Sequence, residues 1–120
     1  MGENEGMPQP TAQSRYIEML NGFISPTLRE AGWTGYRGKY LRKQHGLLEH
    51  LEFQKSRHSG RQTIQFRVNS WQTSEESGEL IPQAFEAGPD AWFIMSVAPD
   101  FDPEQTVTDV LAHIARRTQR

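Results

Sequence analysis

Between positions 47 and 71 polar and apolar side chains alternate. Leu51 and Phe53, then Ile64, Phe66 and Val68, form one set; His50, Glu52 and Gln54, then Gln65, Arg67, Asn69 and Trp71, form the other. In extended chain successive side chains point to opposite faces, so each set shares a face. An imidazole, a carboxylate, three amides, a guanidinium and an indole on one surface can bind a peptide or a small ligand, with Trp71 as the anchor. The plainer reading is the wet face of an antiparallel sheet on which Glu52 and Arg67 form a cross-strand ion pair. His50 and Glu52 could act as acid and base. Residues two apart on a strand are neighbours by necessity, however, so catalysis is the less favoured reading.

A second group interleaves aromatics with bases: Trp33, Tyr36 and Tyr40 among Arg37, Lys39, Arg42 and Lys43. Such a mixture can stack bases and track phosphates of a single strand. The alternative is that Trp33 and Tyr40 pack inside while the bases solvate an edge strand and deter edge pairing. A pI near 6.1 weighs against nucleic acid.

Other chemistry is absent from the pattern. There is no G-x-S-x-G and no P-loop. Gly32, Gly35 and Gly38 follow a helix and open none, unlike a dinucleotide fingerprint. His50-Leu51-Glu52 matches half of a zinc deaminase motif, but the chain has no cysteine. His45, His50, His58 and His113 are scattered without an acidic partner at helical spacing, so no metal or cofactor is expected. Without cysteine, disulfides and thiolate chemistry are excluded.

The elements that must position these groups can be read from period and punctuation. Residues 1–12 lack an apolar period and read as a disordered arm, leaving 13–120 as one domain. From Ser14, apolar residues at Tyr16, Leu20, Phe23, Ile24, Leu28 and Ala31 predict an amphipathic helix. Ser25-Pro26 should kink or restart it, and Gly32 should end it. Strands are predicted near 36–43, at Leu47–Lys55 and at Gln62–Trp71, joined by turns at Gln44-His45-Gly46 and Ser56–Gly60. Residues 72–90 read as a long acidic loop with a short helical or strand piece near Leu80-Ile81. Ala91–Val97 reads as a fourth strand. Asp102-Pro103-Glu104 then starts a helix with its stripe at Val107, Val110, Leu111 and Ile114. The expected fold is α+β: a two-layer sandwich, an antiparallel sheet of about four strands packed against an N-terminal and a C-terminal helix.

The 120 residues suit one core, with 3 Trp, 6 Phe and 3 Tyr to close it. Net charge is −2, yet residues 29–67 hold nine bases against three acids, and 68–109 hold nine acids and no base. No apolar run approaches the ~18 residues of a membrane span, and no leader pattern is present. A cytoplasmic location with no membrane contact is therefore expected.

The segments FISPTLREAGW, KYLRKQHGLLEHLEFQKSR and IQFRVNSW, with Asp90 and Trp92 later, resemble a bacterial family known only as domain of unknown function 4304. Leu28, Gly32 and Trp33 match its first element, and Phe53, Gln54, Lys55 and Ser56 its most specific one. Phe66, Val68 and Asn69 follow. Tyr40 and Trp33 stand where phenylalanine is usual, and Trp71 where a small residue is common. The resemblance implies an α+β domain without assigned activity and adds Gln54 and Asn69 as positions of interest. Taken together, the expectation is a non-enzymatic module recognising a protein or peptide partner, as a monomer or weak homodimer. An immunity or antitoxin-like role fits its size and charge blocks. A small-ligand binder or enzyme on the polar face is the alternative, and single-strand nucleic-acid binding the third.

Overall fold

The computed structural model describes residues 10–81 and 92–118. Helix α1 runs Ala12–Met19 and is closed at its start by a capping box: Thr11 Oγ1 accepts from the Ser14 amide, and the Ser14 hydroxyl accepts from the Thr11 amide. The helix thus begins two residues before Ser14, with Ala12 fully buried. The rest of the expected arm, residues 1–9, lies outside the described residues. The break before Pro26 takes the form of a π-helical turn, Leu20–Ile24, followed by α2, Ser25–Glu30. Pro26 cannot donate, and its ring crowds the carbonyl one turn back. Widening the preceding turn, so that Ser25 donates to Leu20, gives the ring room without ending the helix. Gly32, at φ 94°, then stops it: Trp33 donates to the Leu28 carbonyl and Gly32 to Arg29, a Schellman closure.

The sheet has six strands rather than four: β1 (Thr34–Tyr36), β2 (Lys39–Gln44), β3 (Leu47–Lys55), β4 (Thr63–Ser74), β5 (Leu80–Ile81) and β6 (Phe93–Ser96). The order is β1-β2-β3-β4, with β5 and β6 both antiparallel to β4 along its outer edge. The strand expected near 36–43 is β2, from Lys39, and β1 lies ahead of it in a Gly-rich stretch with no period. Gly35 permits it, because a Cβ there would lie 2.1 Å from the Lys39 carbonyl oxygen. His45 and Gly46, both at positive φ, make the two-residue β2–β3 turn.

Helix α3, Pro103–Thr118, starts where Asp102 accepts from the Glu104 amide at 3.0 Å. It is tied to the sheet by Thr106, whose hydroxyl donates to the Ile94 carbonyl. All three helices lie on one sheet face. Tyr16, Met19, Leu20, Ile24, Leu28, Val110 and Ile114 meet Tyr40, Leu51, Ile64, Phe66, Val68 and Met95 there. Phe66, 0% exposed, is the hub, with its ring against Tyr16, Phe53 and Phe93. Burying such a ring contributes roughly 2–3 kcal/mol. Apolar residues of β3 and β4 therefore face the helices, and Arg67 and Asn69 face away, as the alternation requires.

Candidate functional site

The outer sheet face is built by register. On β3 and β4, His50 lies opposite Trp71, Glu52 opposite Asn69, and Gln54 opposite Arg67. The His50 and Trp71 rings stack in parallel at 4.9 Å, and His50 Nε2 shares a 3.0 Å hydrogen bond with Thr73 Oγ1. Gln54 Oε1 accepts from both Arg67 Nε (3.1 Å) and Asn69 Nδ2 (3.0 Å). The Arg67 guanidinium also covers the Trp92 ring, 5.2 Å from its centroid. Glu52 and Arg67, expected to form an ion pair, are diagonal in the register rather than opposite, and the ion pairs found among the described residues do not join them. Glu52 has Lys39 of β2 opposite it on its other side. Gln65 extends the same face at the β6 end, opposite Ile94. The register thus brings all seven predicted face residues, His50, Glu52, Gln54, Gln65, Arg67, Asn69 and Trp71, onto one surface. Because the helices pack on the other side, no helix among the described residues covers it.

Three exposed apolar members of this face were not read from the sequence. Trp92 and Ile94 are 44% and 46% exposed, and Leu80 on β5 is 65% exposed. The run AWFIMSV is apolar on both faces, so alternation could not separate its outward residues from Phe93 and Met95. Rings and aliphatic groups therefore border the polar centre: Trp71 and Leu80 toward one end, Trp92 and Ile94 toward the other.

The four bases at 37–43 do not form one patch. Arg37 sits in the β1–β2 turn at φ 54°, exposed. Lys39 and Lys43 point to the outer face, and Lys43 lies 3.6 Å from Glu75. Arg42 points the other way by strand alternation. Its Nε donates to Glu49 at 2.8 Å, its Nη1 to the Ala31 carbonyl, and its guanidinium covers Trp33 at 4.6 Å. Glu49 is 3% exposed and lies on the helix side of the sheet. Trp33 and Tyr40 are buried, Tyr40 sharing a 2.6 Å hydrogen bond with Ser25.

A groove of about 620 Å³ lies on the helical side, between α1 with its π turn and α3. Met19, Phe23, Met95 and Val107 line it, and none of the outer-face residues does. Among the described residues no three His, Asp or Glu side chains come together as metal ligands would. No helix among them is long and apolar enough to cross a membrane.

The family described as Domain of unknown function (DUF4304) matches residues 24–96. The chain belongs to this family. No curated protein and no solved structure matches the chain. The DUF4304 span runs from the end of the π turn through all six strands, so the whole outer face falls within it. Helices α3 and α1, which bound the groove, fall wholly outside it.

Proposed function

We infer that this DUF4304 chain is a recognition module that takes a peptide or protein partner on its outer sheet face. One observation carries the reading. The face holds planar groups already fixed by their neighbours, His50 on Trp71, Arg67 on Trp92, and Gln54 between Arg67 and Asn69. Side chains ordered before contact lose little rotamer freedom on binding, which raises affinity for a given area. Indole and guanidinium groups are also the types that dominate interface energetics. The helices' placement on the opposite side supports the same reading.

A small ligand on this face is less well supported, because none of its residues lines the groove on the helical side. A single nucleic-acid strand is less well supported too, because Arg42 is committed to Glu49 and Trp33.

The test is site-specific photocrosslinking in cells, with a benzophenone side chain at position 52 or 65 and a control at position 112 on α3. Discrete adducts of constant mass are expected from 52 and 65, absent at 112, and lost when Trp71→Ala and Trp92→Ala are combined. Adducts that survive that double substitution, or none from the sheet positions, would reject the face.

A further inference from the structure

The groove between α1 and α3 is a separate site. Its floor is Met19 and Met95, 2% and 1% exposed, and its walls are Phe23 and Val107. Phe23 is 48% exposed, carried on the π turn. Unbranched methionines adapt to varied shapes, and a half-open phenylalanine supplies an apolar edge. The two helices bound the groove on either side over the β6 end of the sheet.

The rim sets the charge of the occupant. Glu18 and Glu104 stand on it, one from each helix, against one base, Arg15. Arg15 is partly committed, since its Nη1 donates to the Ser96 carbonyl at 2.9 Å. Asp102, exposed and at the start of α3, adds to the negative side. Anionic chains are repelled here, and an apolar stripe flanked by lysine or arginine is complemented.

We propose that the groove binds a cationic amphipathic helix of a partner protein, its apolar stripe on Met19, Phe23, Met95 and Val107 and its bases on Glu18 and Glu104. Docking of this kind places apolar side chains one helical turn apart into a groove. It is independent of the outer-face reading, since the two surfaces lie on opposite sides of the sheet.

Fluorescence anisotropy with the full chain tests it, using a labelled synthetic leucine–lysine peptide patterned at helical spacing and its leucine–glutamate counterpart. The lysine peptide is expected to bind at least about tenfold more tightly than the glutamate one. The pair Glu18→Lys with Glu104→Lys should weaken it about tenfold, and Phe23→Ser should weaken it as well. Reversing Glu76 and Glu79, in the distant β4–β5 turn, should leave it within about twofold. Equal binding of both peptides overturns the proposal, as does equal loss from the distant reversal or no binding by the lysine peptide. Sedimentation of the same proteins covers another occupant: a dimer that Phe23→Ser dissolves assigns the groove to a second copy and overturns it too.

Discussion

His50 and Trp71 face each other directly across the β3–β4 ladder, their rings parallel to within 1°. Each limits the other's rotamers, and Thr73 fixes the imidazole further through its hydroxyl. The stack is part of the sheet's stability as well as of its surface. Trp71→Ala should lower the unfolding free energy by about 1 kcal/mol in urea titration. His50→Phe should keep most of it. An unaltered midpoint in Trp71→Ala would show that the stack contributes nothing to the fold.

Arg42 and Glu49 form a pair at the helix-side sheet surface, with Trp33 beneath the guanidinium. Removing one partner leaves the other charge partly buried. Arg42→Ala should cost about 3 kcal/mol. The double change Arg42→Ala with Glu49→Ala should cost at least about 1 kcal/mol less than the two singles added together. Additive losses in a thermal-unfolding cycle would mean that the two side chains act separately.

Gly35 has φ 121° and no space for a methyl group beside Lys39. Gly35→Ala should destabilise by more than about 1 kcal/mol, chiefly by releasing β1. Hydrogen exchange should speed at Thr34–Tyr36 before it speeds in β3. Unchanged exchange in β1 would contradict the close approach described.

Burial raises the Tyr16 phenol above its ordinary pKa of 10.0, and repulsion from Tyr40 adds to the shift. The folded state therefore keeps this proton to higher pH than the unfolded chain does. Stability from this group is complete below pH 10 and is lost as pH rises beyond it. Tyr16→Phe should flatten the alkaline limb of the stability profile and leave the neutral region nearly level. An equally steep alkaline limb in the variant would remove Tyr16 as its cause.

The parts of the fold that period and turn chemistry determine were legible in the sequence. β3 is Leu47–Lys55, as predicted, because His45-Gly46 sets its start and alternation carries it onward. The outer-face set followed from the same alternation. Glu49 escaped notice because a carboxylate on the inward side reads as a break in the pattern. Its partner is visible only through register: counting out from the His45-Gly46 turn pairs Gln44 with Leu47, and hence Arg42 with Glu49. Arg42 was grouped with Lys39 and Lys43 by charge, whereas strand alternation sends it to the other side. β1 is three residues long, too short for any period to show, and β5 is the short piece expected near Leu80-Ile81, whose two residues carry no period to separate strand from helix.

One edge of β4 is shared by β5 and β6, which run in the same direction along it. Ile81 is opposite Gln72, and Phe93 is opposite Phe66. The chain thus spends twelve residues where the ladder advances six, and it rejoins the same rail. β4 therefore has a partner on both sides at Gln72 and again at Phe66, so neither end of the longest strand is left open to pair with another chain.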